Sequence, residues 1–252
     1  MFDDRQTLSP ERPAPPGGLR FSPGSRAWLR SARPWNRLAY VIRALPAAIA
    51  KAAEHLDLRP GTRVLDFGCG EMPYRELFGP GVHYVGADLP GNPAAEVEVS
   101  GDGRLSVPDE SFDVVVSTQV LEHVRSPSTY MQECFRVLRP GGRLLLSTHG
   151  MMILHPDPVD LWRWTSDGLR YQVELAGMRV VAFAGVMGLA ATGLQLFQDA
   201  THGRLPAFLR APYALVMQAL IALFDRRDSV RGRALNALVY TIVAEKPPTP
   251  AA

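Results

Sequence analysis

Val64-Leu65-Asp66-Phe67-Gly68-Cys69-Gly70 is the stretch on which the fold turns. A short apolar run ends in two glycines one residue apart, and a helical stretch follows. That order reads as a buried strand bending sharply into the next element. The glycines let the backbone approach a ligand closely, and a helix start beyond them offers unpaired N–H groups. A plain turn explains a lone Gly-x-Gly equally well. Two details sharpen the choice. Pro73 stands where a dinucleotide-binding Gly-x-Gly-x-x-Gly needs its third glycine. Asp66 sits two residues before the first glycine, and burying a carboxylate there unpaired is costly. Such an acid suits a cationic ligand better than a pyrophosphate.

On either side of this turn, short apolar runs alternate with helical stretches, the pattern of a parallel sheet with crossover helices. Strands are predicted over Arg63–Phe67, His83–Asp88, Val97–Val99, Phe112–Ser117 and Arg143–Thr148. Helices are predicted over Tyr74–Phe78, Gln119–Val124 and Ser128–Val137, with Pro140-Gly141-Gly142 as a turn launching the next strand. A loop from His149 to Trp164 leads to a helix near Ser166–Leu175 and two more strands, Arg179–Ala184 and Ala237–Glu245. Upstream, helical patterning begins near Trp35, and Pro46 is read as starting a second helix to Leu56. The expected fold class is therefore α/β, a Rossmann-like seven-stranded, mostly parallel sheet with an N-terminal helical cap and a helical insertion before the last strand. Residues 1–25, with five prolines and three glycines, are read as a disordered arm. Residues 26–246 are read as a single domain with an insertion over about 186–236, and 247–252 as a tail.

The 252 residues, 46% hydrophobic and 21% charged, describe an ordinary globular chain. With 27 basic against 25 acidic residues, no polybasic surface for nucleic acid is expected. Two cysteines, Cys69 and Cys134, cannot build a disulfide framework. Without an apolar signal segment or an uninterrupted apolar run of about 20 residues, the expected location is the cytoplasm.

Asp88 closes the second predicted strand, eighteen positions past Gly70, where an acid can accept two ribose hydroxyls. Asp102-Gly103 follows the third strand; alone, the pair is an ordinary turn. The three acids fall at carboxyl ends of parallel strands, the edge at which open α/β sheets bind ligands.

Taken with Phe112 to Ser117, Val120-Leu121-Glu122-His123-Val124 and Val137-Leu138-Arg139-Pro140-Gly141-Gly142, these residues resemble the class I S-adenosylmethionine-dependent methyltransferases over roughly residues 55 to 185. The resemblance implies S-adenosylmethionine as cofactor. By it, Gly68, Cys69 and Gly70 line the methionine part, and Asp66 lies near the amino group and sulfonium. Asp88 holds the ribose, Asp102 and Gly103 face the adenine, and Ser117 and Gln119 close the pocket near the methyl group. Leu105-Ser106-Val107 departs from the Leu-Pro-Phe of many relatives on the adenine side. Within the family the chain resembles the small-molecule methyltransferase-domain type 11 group, and Glu71-Met72-Pro73-Tyr74 with His155-Pro156-Asp157-Pro158, Asp160, Trp162-Arg163 and Thr165 looks like a bacterial subgroup acting on small metabolites or sugar-containing intermediates. The implied activity is methyl transfer to oxygen or nitrogen of a small-molecule, sugar or lipid-linked acceptor. A catalytically silent binding scaffold and a nicotinamide-dependent oxidoreductase are the rivals.

His149 and His155 lie on the substrate side and are the candidate general bases, with a loop-fixing role as the alternative. Asp157 and Asp160 read as loop-holding residues, and Arg163 as either that or a clamp for an acidic acceptor. Glu122-His123 is similar to a metal-binding pair of quinone-pathway methyltransferases. Gln119 occupies the place of the extra carboxylate, so no metal is expected. In the insertion, Ala211–Phe224 is apolar but for Gln218. Fourteen helical residues span about 21 Å, short of a bilayer's hydrocarbon. Packing on the domain or in a homodimer, a lid over an apolar acceptor, and peripheral contact with the inner membrane face are the three readings.

Overall fold

The computed structural model describes residues 33–155 and 159–249; the expected arm at 1–25, Asp157, and the end of the tail at 250–252 lie outside the described residues. The strands are β1 (Arg63–Phe67), β2 (His83–Asp88), β3 (Val97–Glu98), β4 (Phe112–Thr118), β5 (Leu138–His149), β6 (Arg179–Gly188) and β7 (Ala237–Glu245). The helices are α1 (Ala39–Ala53), α2 (Pro127–Val137), α3 (Ser166–Leu175), α4 (Leu189–His202), α5 (Ala207–Arg227) and α6 (Val230–Leu235). Together the strands make one sheet in the order β3-β2-β1-β4-β5-β7-β6. β1 pairs in parallel with β2 and β4, β2 with β3, and β4 with β5; β7 runs antiparallel to both β5 and β6.

Successive strand residues face opposite sides of the sheet, and both sides are covered. Leu65, Phe67, Val115, Leu144 and Leu146 pack with Tyr130, Met131 and Cys134 of α2 and Leu169 and Val173 of α3. Val64, Val114, Val116 and Leu145 pack with Val41, Leu45 and Ile49 of α1. This explains why the strand sequences are continuously apolar rather than alternating.

Several expected boundaries are corrected. The cap is one helix: Pro46 lies inside α1, and the bond it cannot donate is outweighed by burial of Val41, Ile42, Leu45 and Ile49 along one face. Gln119–Val124 is a turn, not a helix. The Glu122 carbonyl accepts the N–H groups of Leu161 (2.8 Å) and Trp162 (3.3 Å), and the Val124 carbonyl accepts Trp162 Nε1 (2.7 Å). A loop forty residues away has taken acceptors that a helix would use. At Pro140-Gly141-Gly142 the chain is already within β5; Gly141 N–H bonds the Lys246 carbonyl at 2.8 Å, and the kink shifts the register against β4.

The sixth strand also runs further than the expected Arg179–Ala184. β6 runs on to Gly188 because Gly185, Val186 and Gly188 pair with Tyr240, Val239 and Ala237 of β7. α5 has 21 residues rather than fourteen, so it is about 31 Å long and is long and apolar enough to cross a membrane. The length reason for excluding a span therefore falls. Packing supplies a different one. Gln218 accepts from Tyr40 N (2.6 Å) and donates to the Arg37 carbonyl (2.8 Å) and to Gln198 (2.7 Å). Asp225 accepts from Tyr40 Oη (2.6 Å) and Gly188 N (2.8 Å), and Arg37 pairs with Asp199 of α4. These buried polar groups fasten α4 and α5 to α1.

Burial and the neighbouring Asp225 push the Tyr40 hydroxyl up to about 12. Replacing Tyr40 with Phe takes a donor from a buried carboxylate, and the expected cost is about 1–3 kcal/mol, read as a lower urea midpoint. An unchanged midpoint would show that the clamp contributes nothing.

Candidate functional site

Parallel pairing brings the carboxyl ends of β1, β2 and β4 to one edge, and the sequence-predicted residues fall into two groups along it. The first group surrounds the turn after β1. Gly68 and Gly70 adopt φ of +80° and +53°. A Cβ on Gly68 would lie 2.5 Å from Val120 Cγ2, so both conformation and the Val120 contact require glycine. Gly68 and Cys69 donate their N–H groups to the Ala87 carbonyl at 2.8 and 3.1 Å. Asp88 then closes the turn, because its Oδ2 accepts Gly70 N–H at 2.7 Å and its Oδ1 accepts Leu89 N–H at 2.7 Å.

Asn92 belongs to this group and was not foreseen from the sequence. Its Nδ2 donates to Asp88 Oδ2 (2.8 Å) and to the Gly70 carbonyl (2.7 Å). Pro90-Gly91-Asn92-Pro93 signals only a loop, so nothing local marks the asparagine. A carboxylate has about four acceptor positions. Asp88 Oδ2 takes three donors, Gly70 N–H, Asn92 Nδ2 and, at 4.0 Å, the Cys69 thiol, whereas Oδ1 takes Leu89 N–H alone, which leaves acceptor capacity on Oδ1 of a side chain held rigid by the other bonds.

Asp66 is buried at the end of β1, where its Oδ2 accepts Tyr84 Oη at 2.7 Å. Burial, with Asp66 alongside, raises the Tyr84 hydroxyl far above its ordinary range, so it stays a donor to Asp66. Asp102 and Gly103 lie in the turn after β3. Asp102 is exposed and accepts Ser100 Oγ, which holds its carboxyl below the usual range. The Ser117 hydroxyl turns inward, 2.8 Å from Tyr130 Oη, and Tyr130 also donates to the Phe67 carbonyl. That leaves half-buried Gln119 as the polar side chain at the end of β4, donating to Ser147 Oγ at 3.1 Å. Its φ of +56° is rare outside glycine, and residues held this way cluster at functional sites.

The second group gathers where β5 ends. His123, His149 and His155 form a triangle with ring centroids 5.9 to 6.4 Å apart. Fully buried Glu122 accepts the Thr148 hydroxyl at 2.8 Å, and its Oε1 lies 3.2 Å from His149 Nε2. Burial, with Arg163 and the other two histidines adding positive potential, lowers His149 to about 3. His149 is thus neutral at physiological pH. His155 is half-buried, and its N–H is held by Asp160 Oδ2 at 2.6 Å.

Arg163 holds the loop. Its five N–H donors go to both Asp160 oxygens and to the carbonyls of Met152 (2.7 Å), Ile153 (2.6 Å) and Trp162 (2.8 Å). None remains for an acidic acceptor, so the clamp reading of Arg163 is set aside. Burial works to raise the Asp160 carboxyl, but Arg163 and the His155 N–H outweigh it and hold it low.

Residues 35–175 match the family described as a methyltransferase domain. A Mycolicibacterium smegmatis protein designated a "probable S-adenosylmethionine-dependent methyltransferase" is 33% identical over 162 residues, 57% of this chain and 61% of that one. The ubiquinone biosynthesis O-methyltransferase of a Bradyrhizobium species is 30% identical over 128 residues, covering 44% and 49%. Against these curated relatives the chain spans about half to three-fifths of their length. Among solved structures, the [4+2]-cyclase SpnF superposes with a TM-score of 0.55 at 18% identity, covering 92% of this chain and 99% of that one. A phosphoethanolamine N-methyltransferase of Haemonchus contortus, in complex with S-adenosylhomocysteine, gives 0.55 at 13% identity, covering 89% and 56%. At these identities the superpositions establish the fold alone.

The buried imidazole makes stability depend on pH. His149 sits at about 3 in the folded protein against 6.5 when exposed, so below 6.5 the unfolded chain binds that proton first. Stability should fall as pH drops from 6.5 toward 3, by up to about 1.4 kcal/mol per unit. Urea midpoints at pH 7 and pH 5 should differ less for His149→Gln than for the native protein. Equal pH dependence in both would refute the burial of this ring.

Proposed function

Because the chain belongs to the S-adenosylmethionine-dependent methyltransferase family, we propose that it transfers a methyl group from S-adenosylmethionine to oxygen or nitrogen of a small-molecule, sugar or lipid-linked acceptor. The observation that carries this reading is the Asp88 carboxylate, fixed against Gly70 N–H at the carboxyl edge with an acceptor position to spare. The donors and acceptors fit a nucleoside sulfonium. Buried Asp66 and the glycine turn favour the positively charged amino-acid end, Asp88 the ribose hydroxyls, and Asp102 with Gly103 the adenine edge. When bound, the cofactor supplies a methyl carbon made electrophilic by a positive sulfur.

What the chain must add is alignment and a route for the acceptor's proton. The strained Gln119 and the turn it begins hold Glu122 beneath the histidines. His155 is the ring a substrate can reach, and it takes the proton from the acceptor. His149 is closed off from solvent, neutral, and set against Glu122; it shapes the field behind His155 without carrying a charge of its own.

Isothermal titration with S-adenosylhomocysteine tests the cofactor reading. Asp88→Ala should weaken binding by about 1.5–3 kcal/mol through loss of charge-assisted hydrogen bonds. Unchanged affinity would put the pocket elsewhere, and binding of a nicotinamide dinucleotide in its place would favour an oxidoreductase.

The base is tested with the same protein against a panel of alcohols, phenols and amines, following S-adenosylhomocysteine release. His155→Ala should slow release at least about 100-fold with cofactor affinity intact, and His149→Ala should slow it less. Near-normal turnover in both variants rejects histidine base catalysis.

A further inference from the structure

We propose that the outward face of α5 seats the protein on an anionic lipid bilayer, with the helix lying along the headgroup boundary. α5 turns its polar groups inward: Gln218 and Asp225 are buried against α1 and α4. Outward it presents Phe208, Leu209, Pro212, Leu215, Val216 and Leu223, with Phe208 78% and Val216 60% exposed. At about 100° per residue these positions share one side of the helix. From Phe208 to Phe224 the strip runs for about 24 Å. Arg210 does not interrupt it, because its guanidinium is drawn to the carbonyls of Leu205 and Gly203. A contiguous apolar face of this length on a soluble domain marks an interaction surface.

Charge selects the partner. Residues 189–236 hold six arginines against three aspartates, a formal +3, while the rest of the chain sums to −1. Asp199 and Asp225 are buried in the clamp. Arg226 and Arg227 continue the strip at its end, Arg204 precedes it and Arg231 follows it. Among the described residues none of these four forms an ion pair. An apolar strip ending in unpaired arginines matches acyl chains beneath anionic headgroups, with the guanidinium groups reaching up to phosphate. A second copy of the same face would oppose +3 with +3. A bilayer-spanning α5 would carry Gln218 and Asp225 into hydrocarbon, away from Tyr40 and Arg37.

The position of this face is suited to function. β6 runs parallel to β1, β2, β4 and β5, so Gly188 and Ala237 root the insertion at the carboxyl edge, the edge that holds the candidate pocket. An acceptor dissolved in the bilayer would be presented there. That last step rests on the methyl-transfer reading; the docking does not.

Sedimentation of the full chain with vesicles tests the docking. The protein should pellet with phosphatidylcholine vesicles containing about one-third phosphatidylglycerol, much less with phosphatidylcholine alone, and less at high salt. Arg226→Gln with Arg227→Gln should lower partitioning about 25-fold, given roughly a fivefold contribution per arginine. Leu215→Ser with Val216→Ser and Leu223→Ser should lower it at least about tenfold. All five positions are exposed, so circular dichroism and S-adenosylhomocysteine affinity should stay native. Native protein left in the supernatant with anionic vesicles overturns the proposal. So does a stable dimer that the serine variant splits while vesicle binding is unchanged. Vesicle binding without cofactor affinity would uphold the docking and count against the methyl-transfer reading alone.

Discussion

Parallel pairing of β1 between β2 and β4 is the constraint on which the site depends. Strands that run the same way must end at the same edge, so the turn after Phe67, the acid at Asp88 and the strained Gln119 become neighbours although some fifty residues separate the first from the last. Burial on both faces keeps the strands in register, because a slip would move Leu65 and Phe67 to the α1 side and Val64 to the other. The glycine turn is then held by two side chains from the second strand and the loop after it. Asp88 reaches across from the next strand to take the Gly70 amide, and Asn92 ties that acid back to the same loop.

The second group depends on the first only through β4. Beyond Thr118 the chain bends instead of coiling, since the carbonyls of Glu122 and Val124 are taken by the loop after β5. That exchange carries Glu122 into the protein interior beside Thr148 and His149, while Arg163 and Asp160 brace the segment that bears His155. Three imidazoles within about 6 Å of one another would repel if all were charged. Burial of His149 relieves this by keeping one of them neutral.

The insertion shows how one helix can be apolar on nearly every side and still have a defined orientation. Hydrophobicity is spread around α5, so an apolar stripe does not choose which face turns inward. The choice falls to Gln218 and Asp225, which meet their polar partners on the inner side, from α1, α4 and the end of β6. Fold alone says little about chemistry here: a cyclase and a methyltransferase superpose equally well on this chain.

Local chemistry was enough to read the seven strands, the glycine turn and the three acids from the amino-acid order, because each is announced by residues within a few positions of it. Asp66, Gly68, Gly70 and Asp88 are legible in that sense. What required the tertiary structure is whatever depends on a distant partner. Pro46 stays inside a helix because burial outweighs a missing bond, and Gln119–Val124 fails to coil because Leu161 and Trp162 take its acceptors. Asn92 matters only through Gly70 and Asp88, and Arg163 becomes a brace only when five acceptors surround it. The physical reason is common to all of these. Hydrogen-bond partners and burial are properties of chain segments brought together in space, and no window of neighbouring residues contains them.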